Sequence, residues 1–139
     1  MSVEENKALT QRFYDEVINQ DNLDNIEEFV NDDIVENNPA AKDIAPGLEG
    51  FRQELSYVRS AFPDLRMEIK DIIGEGEKVA YVLSFTGTHQ GEFWGVEPTG
   101  NKIDTTIIDY MTFEDGKLSE RTGLFDVYEL MQQLGQKAA

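Results

Sequence analysis

The stretch VAYVLSFTGTHQGEFWGVEPTG, residues Val79–Gly100, decides the fold of this chain. In its first half, Tyr81, Leu83 and Phe85 recur at every second position, which is typical of a strand with one buried face. The strand ends near His89 and leads into a turn rich in glycine and aromatic residues. Most residues before this stretch follow a helical period and most residues after it follow a strand period, so the chain predicts helices first and a sheet second.

The first half of the chain predicts an amphipathic layer of helices. Ser2 followed by Glu5 forms a capping-box pattern, which places a helix start at this point. Apolar residues then recur at helical spacing, as on one face of a helix. We predict helices over about residues 2–19, 23–30 and 48–61, with a brief strand at 34–36 and an irregular loop over 40–47.

The second half predicts a meander of strands. Asp115-Gly116 is a residue pair favoured in tight hairpin turns, and it separates two alternating runs. We predict strands that begin at Leu65 and Lys78, further strands over about 102–113 and 117–126, and a short helix over 127–134. Helices followed by antiparallel strands indicate an α+β domain, a cone-shaped α+β barrel in which N-terminal helices pack on a curved, mainly antiparallel sheet. The open end of such a cone suits a small apolar ligand.

Length and composition limit the partners. The 139 residues fit one domain over residues 1–139, because a chain of this size buries roughly two thirds of its surface. With 28 acidic and 12 basic residues, the net charge of −16 disfavours nucleic acid and anionic membranes. This charge either keeps the protein soluble or reflects adaptation to salt. Without a leader or an apolar run of roughly 20 residues, we expect a soluble, cytoplasmic protein.

The chain has no cysteine and a single histidine, His89. Disulfides, thiolate nucleophiles and metal sites built on cysteine or on several histidines are therefore excluded. Carboxylate-only magnesium or calcium sites are chemically possible in so acidic a chain, but no EF-hand spacing is present. We therefore expect no metal.

Five motifs, in order and spacing, resemble one protein family. They are AFPDL at 61–65, GTHQGEF at 87–93, PTG at 98–100, DGKL at 115–118 and QLG at 133–135. Together with Gly95 and Glu120, they resemble the SnoaL-like polyketide cyclases, also called ester cyclases, of the nuclear transport factor 2-like superfamily. The resemblance covers nearly the whole chain, from about Leu9 to Gly135.

The resemblance implies a cone-shaped fold that is often dimeric and needs no metal or organic cofactor. It also implies an intramolecular aldol closure of a polyketide-like ester, with an aspartate as general acid/base. We therefore expect a homodimer that binds a small, largely apolar carbonyl compound. The same cone hosts isomerases, dehydratases, epoxide hydrolases and binding modules without catalysis, and these stay open as alternatives.

Four residues are candidates for the acid/base chemistry, because a carboxylate in an apolar pocket gains basicity on losing water. Asp126 comes first: it closes the last strand on the same side as Leu118 and matches the family's aspartate, although it could instead cap the final helix. Asp109 lies in an apolar run and is either functional or paired with an arginine. Glu120 could be a base, a partner of its neighbouring arginine or a surface charge, and His89 either shapes its turn or transfers a proton.

The remaining candidates would contact the ligand. Phe93 and Trp94 are expected to pack the turn and to line the entrance, while Tyr14, Phe62 and Tyr110 face either the ligand or the core. Three positions depart from the family pattern. Arg121 and Thr122 stand where many relatives have histidine and tryptophan, and Asn37 stands where many have histidine. These changes should enlarge the pocket and alter its polarity, which leaves the polyketide reaction itself open.

Overall fold

A computed structural model describes residues 1–135 and has the predicted α+β architecture. Strands β1 to β5 form one sheet in the order β1-β5-β4-β3-β2, in which β1 runs parallel to β5 and the other neighbours are antiparallel. The sheet is open, with β1 and β2 at its edges, so helices rather than strand pairing complete the cone. The strands are β1 (Val30–Asn37), β2 (Arg66–Glu75), β3 (Lys78–Thr88), β4 (Lys102–Glu114) and β5 (Lys117–Phe125).

The helices follow the predicted order. They are α1 (Val3–Arg12), which continues as a π-helical segment (Phe13–Ile18), a 3-10 helix (Leu23–Glu28), α2 (Gly47–Ala61) and α3 (Val127–Gln133). The capping box at the start of α1 is confirmed: Glu5 N donates to Ser2 Oγ at 3.0 Å and Ser2 N donates to Glu5 Oε1 at 3.2 Å. None of the helices within residues 1–135 is long and apolar enough to cross a lipid bilayer.

Alternation along β3 and β4 places every second side chain in the core. Tyr81 on β3 pairs with Asp109 on β4, which in turn pairs with Gly123 on β5. Since directly paired residues point to the same face of a sheet, these three positions share the inner face. The strands therefore bring a carboxylate and a phenol together at the middle of the concave surface.

A β-bulge at Ser119 changes which side chains of β5 face inward. Leu118 pairs with Phe113 and Glu120 pairs with Thr112, so Ser119 has no partner across the ladder. An extra residue reverses the alternation beyond it, and Arg121 consequently lies buried while Leu124 is 62% exposed. The prediction that the side of Leu118 continues to the end of β5 is therefore wrong.

Candidate functional site

A cavity opens between the helices and the concave face of the sheet. Most of its wall is apolar and is supplied by the π-helical segment, α2 and the inner faces of β2 to β5. Asp21 and Asn38 are exposed residues of its lining and mark the side that opens to solvent. The space that the centre of a water molecule can reach measures about 50 Å³. This volume holds a few water molecules, so a ligand of several rings enters only if lining side chains move.

Asp109 forms the polar centre of the cavity. Its Oδ2 accepts hydrogen bonds from the hydroxyls of Tyr14 at 3.0 Å and Tyr81 at 3.1 Å, and the two hydroxyl oxygens lie 2.8 Å apart. All three side chains are at least 95% buried. Two hydroxyl hydrogens cannot serve all three contacts at once, and when both hydroxyls donate to Oδ2 none is left for the contact between the hydroxyl oxygens. Two phenol hydrogen bonds then stabilise the ionised form of this buried carboxyl.

Gly123 makes room for the second oxygen of Asp109. A Cβ atom at this position would collide with Asp109 Oδ1, so no larger residue fits without displacing the carboxyl group. No N–H or O–H group within residues 1–135 donates a hydrogen bond to Oδ1. This oxygen is also not fully buried, since it is absent from the set of fully buried side-chain atoms that lack a partner. Both residues line the cavity. Oδ1 is thus the oxygen available to a ligand.

Arg121 anchors a second polar group beside Asp109. Its Nη2 lies 2.7 Å from Glu36 Oε2 and 2.7 Å from Glu54 Oε1, and the side chains of both glutamates are 6% exposed. Its Nη1 donates to the hydroxyl of Tyr14 at 3.5 Å, and its guanidinium carbon lies 4.9 Å from the centre of the Phe51 ring. Arg121 therefore connects the two glutamates with the Tyr14 hydroxyl and, through it, with Asp109.

Burial dominates the electrostatics of the site. It raises the pKa of the Asp109 carboxyl, while Arg121 and the two tyrosine hydroxyls oppose part of that increase. Burial likewise raises the pKa of Glu54 to about 7, against the attraction of Arg121. It also holds the pKa values of Tyr14 and Tyr81 well above the ordinary phenol value, so both hydroxyls keep their hydrogens at neutral pH.

The structure places Asp126, the first candidate base, outside the cavity. Asp126 is exposed and is the N-cap of α3, where its Oδ1 accepts a hydrogen bond from Glu129 N at 3.1 Å. Its predicted position on the inner side assumed unbroken alternation, which the bulge at Ser119 interrupts. The alternative reading, a helix cap, describes what Asp126 does in the structure.

Glu120, Asn37 and Thr122 form a group of their own. The Asn37 amide donates to Glu120 Oε2 at 2.8 Å and to Thr122 Oγ1 at 3.1 Å, across the parallel pair of β1 and β5. None of the three lines the cavity. Because the bulge turns Glu120 and Thr122 away from the concave face, their predicted contacts with a ligand are absent from this arrangement.

His89, Phe62 and Phe93 are fully buried and pack the turn that follows β3. His89 Nδ1 accepts a hydrogen bond from Thr99 N at 3.2 Å, which agrees with the reading that it shapes this turn. The Trp94 indole donates to Ala40 O at 2.8 Å, and its ring centre lies 5.5 Å from that of Phe125, a lining residue. The turn therefore supports the cavity wall from behind, and neither Phe93 nor Trp94 lines the entrance.

Tyr110 lies on the outer face of the sheet. It follows Asp109 on β4 and therefore points the opposite way, with 39% of its surface exposed. The Lys78 ammonium lies 5.1 Å from the centre of its ring. Tyr110 therefore does not line the cavity, because the alternation that buries Asp109 exposes its neighbour.

Sequence reasoning missed three residues of the site: Tyr81, Glu54 and Glu36. Tyr81 could have been found, because it shares the buried side of its strand with Leu83 and would have to satisfy its hydroxyl. Glu54 stands beside Leu55 in the apolar stripe of α2, which is a weak sign of burial. Glu36 gives no sign in the sequence, since a charged residue near the end of a short strand is usually solvated.

No group of three His, Cys, Asp or Glu side chains within residues 1–135 is arranged to hold a metal ion. The polar groups of the cavity instead bond to one another, as the distances above show. What this arrangement offers chemically is one accessible carboxylate oxygen, buried hydroxyl donors and a buried guanidinium, next to an apolar wall.

Solved structures with the same fold cover nearly the whole chain. AclR from Streptomyces galilaeus, a candidate hydroxylase, is 31% identical with a TM-score of 0.83, over 99% of this chain and 100% of that one. A candidate polyketide cyclase from Bacillus cereus is 32% identical with a TM-score of 0.78, over 96% and 83%. IdmH from Streptomyces antibioticus, another candidate polyketide cyclase, is 28% identical with a TM-score of 0.79, over 94% and 98%.

No curated protein matches the chain. The family model of the SnoaL-like polyketide cyclases, in contrast, matches residues 8–134, which is most of the length of this chain. The motifs of the turn and hairpins, the open α+β cone and this match agree with one another. The chain belongs to the SnoaL-like polyketide cyclase family.

Proposed function

We propose that this protein binds a small, largely apolar carbonyl compound in the cavity and catalyses an intramolecular aldol cyclisation of a polyketide-like ester. One observation carries the proposal: Asp109 is buried, two tyrosine hydroxyls hold one of its oxygens, and its other oxygen is open to the cavity. The family and the names of two relatives, both candidate polyketide cyclases, support the same class of reaction.

Asp109 would act as base and then as acid. Its Oδ1 removes a proton from a carbon that lies between two carbonyl groups. The resulting enolate carbon then forms a bond to the carbon of another carbonyl group in the same molecule. The alkoxide oxygen that forms takes the proton back from Asp109, so the carboxylate is regenerated and no co-reactant is consumed. A carboxylate whose pKa is raised by burial suits both steps near neutral pH.

The other polar groups of the cavity position this carboxylate and determine which substrates can bind. The hydroxyls of Tyr14 and Tyr81 fix Oδ2, which leaves Oδ1 as the reacting atom. The guanidinium of Arg121 is already paired with two glutamates, so it is not free to receive an anionic substrate group. The cavity therefore favours a neutral ester over a free carboxylate.

Replacement of Asp109 by asparagine tests the proposal, because asparagine keeps the shape but cannot accept the proton. We expect turnover of a β-polyketo ester to fall by about 100-fold or more, the usual contribution of a general base. Asp104→Asn on the same strand is the matched control, since Asp104 is exposed. The Asp126→Asn variant should also keep its activity. If Asp109→Asn is fully active and Asp126→Asn is inactive, the general base is Asp126 and not Asp109.

A second function, small-molecule binding without catalysis, is favoured by one observation. The polar groups of the cavity already satisfy most of their hydrogen bonds among themselves, as in a site shaped for recognition. In that case native mass spectrometry would detect a carbonyl compound bound in stoichiometric amount and chemically unchanged. Isomerisation, dehydration or epoxide opening would use the same carboxylate and would show as a different product in the same assay.

A further inference from the structure

The cavity contains more buried carboxyl groups than its one buried arginine can neutralise. Glu36 from β1, Glu54 from α2 and Asp109 from β4 surround Arg121 from β5, and all four residues line the same space. Three carboxylates against one guanidinium would leave two uncompensated charges in a site with little access to water. Because burying an unpaired charge is very costly, at least one of these carboxyl groups should carry a proton.

The hydrogen bonds identify Glu54 as the carboxyl that carries it. Glu54 Oε1 accepts from Arg121 Nη2, but its Oε2 is sealed from solvent and receives no N–H or O–H donor from residues 1–135. A carboxylate oxygen in that position would be left wholly unsatisfied. A proton on Oε2 removes this unsatisfied acceptor, and the carboxyl of Glu36 is its neighbour, because one oxygen of each glutamate lies 2.7 Å from the same nitrogen, Arg121 Nη2.

We propose that Glu36 and Glu54 share one proton beside the guanidinium of Arg121, and that Glu54 in this protonated form is a positioning residue for Asp109. Arg121 Nη1 reaches the Tyr14 hydroxyl at 3.5 Å, and that hydroxyl donates to Asp109 Oδ2. The long contact is the weakest step in this chain of bonds. The positioning role rests on the proposed function, whereas the shared proton does not.

Ionisation of Glu54 would disturb this chain. With both glutamates charged, the guanidinium faces two full negative charges on one side and is drawn away from Tyr14. The ionisable groups that face Glu54 are Glu36, Asp109, Arg121 and Tyr14, with Tyr81 behind Asp109 and with Asp21 and Arg59 further along the cavity lining. The pKa of Glu54, which burial raises to about 7, agrees with a proton that is held at mildly acidic pH and lost as the pH rises through about 7.

The shared proton can be observed without any substrate, by carbon-13 NMR of the full chain with labelled glutamate side-chain carboxyls. We expect one glutamate to titrate near pH 7, well above the value of about 4.3 for a free glutamate side chain. Glu54→Gln should abolish the late titration, Glu36→Gln should move its midpoint, and Glu49→Gln, exposed on the same helix, should leave it unchanged. If all glutamates in the native chain titrate near 4.3, the shared proton is refuted.

The positioning role is tested by the pH profile of turnover. The native enzyme should lose activity above the pH at which Glu54 titrates in the NMR experiment, and Glu54→Gln, which is permanently neutral, should retain activity there. If the NMR titration is present but Glu54→Gln leaves the alkaline limb in place, the positioning role is overturned. If Asp109→Asn is as active as the native chain while the NMR titration persists, the proposed cyclase reaction fails and the shared proton stands.

Discussion

Asp109 and Gly123 illustrate how single residues create the site. A glycine directly across the ladder from an aspartate leaves space that any side chain would fill, and the carboxyl group occupies it. The two tyrosines come from different elements, one from the π-helical segment and one from β3, and meet on the same carboxylate oxygen. The reactivity of Asp109 therefore depends on hydrogen bonds from distant parts of the chain.

Removal of one tyrosine hydroxyl should make Asp109 harder to ionise. Both hydroxyl hydrogen bonds lower the pKa of Asp109 against the increase due to burial, so Tyr81→Phe should raise it further. Since the base must be ionised, the acidic limb of the pH–rate profile should move upward by about one pH unit. Tyr128→Phe, on the surface of α3, is the control, because Tyr128 is 63% exposed. An acidic limb that stays in place would show that Asp109 is not the titrating base.

At the scale of elements, the order of helices and strands followed from the sequence, but β1 begins at Val30, inside the predicted second helix and four residues before the predicted strand. Hydrophobic period, the capping box at Ser2 and the turn at Asp115-Gly116 are local signals, and each is present in the structure. The β-bulge at Ser119 has no comparable signal, and a single unpaired residue there exchanged the inner and outer faces of β5. For this reason Arg121 lines the cavity, whereas Glu120 and Asp126 do not.

The burial of Glu36 and Glu54 could not be predicted for a different reason. Charged side chains are usually buried only beside a group of opposite charge. For both glutamates this group is Arg121, which is more than sixty residues away in sequence. Contacts of this range depend on the final packing of α2 against the sheet. Local sequence patterns carry no information about them.

The cap of α3 gives a prediction at this scale. Asp126→Ala removes the side-chain acceptor for Glu129 N, so the free energy of unfolding should fall by about 1 kcal/mol. Activity of the folded protein should be retained, because Asp126 does not line the cavity. Urea denaturation and a turnover assay on the same samples separate the two effects. Lost activity at unchanged stability would contradict the assignment as a helix cap.

At the scale of the whole molecule, the raised pKa of Glu54 couples the site to stability. A carboxyl whose pKa is higher in the folded chain than in the unfolded chain binds its proton more tightly when folded. Its contribution to stability is fully present below about pH 4.5 and is lost as the pH rises through about 7. This difference between the pKa values of the folded and unfolded chain corresponds to at most about 3 kcal/mol in the free energy of unfolding. Stability should therefore decline over this range.

Urea unfolding at a series of pH values measures this decline. The net charge of −16 adds general repulsion at higher pH, so the comparison with Glu54→Gln isolates the single group. We expect the variant to show a flatter dependence and to exceed the native chain in stability at pH 8. Parallel curves for the native chain and the variant would mean that Glu54 ionises at its ordinary pKa.

The outer face of the sheet supports the expectation of a homodimer. Ile73, Ile108 and Leu124 are each more than half exposed there, beside the partly exposed Tyr110. Sedimentation should give the mass of two chains, and Ile108→Glu should shift it toward one. Added salt should strengthen the dimer, because two copies of this acidic chain repel each other. A native chain that sediments as a monomer at high concentration would refute this arrangement.

The π-helical segment makes the site sensitive to chain length. Asn19 N donates to Tyr14 O, five residues back, so this segment holds one residue more per turn than an α-helix. Deletion of one residue between positions 13 and 18 would turn this segment into an α-helix, because a π turn accommodates one extra residue while the flanking parts keep their orientation. Tyr14, which lies in the wide turn, would then move relative to the carboxylate while the rest of the fold stayed intact. Related chains that differ here by a single-residue insertion or deletion are thus expected to have different chemistry on the same scaffold.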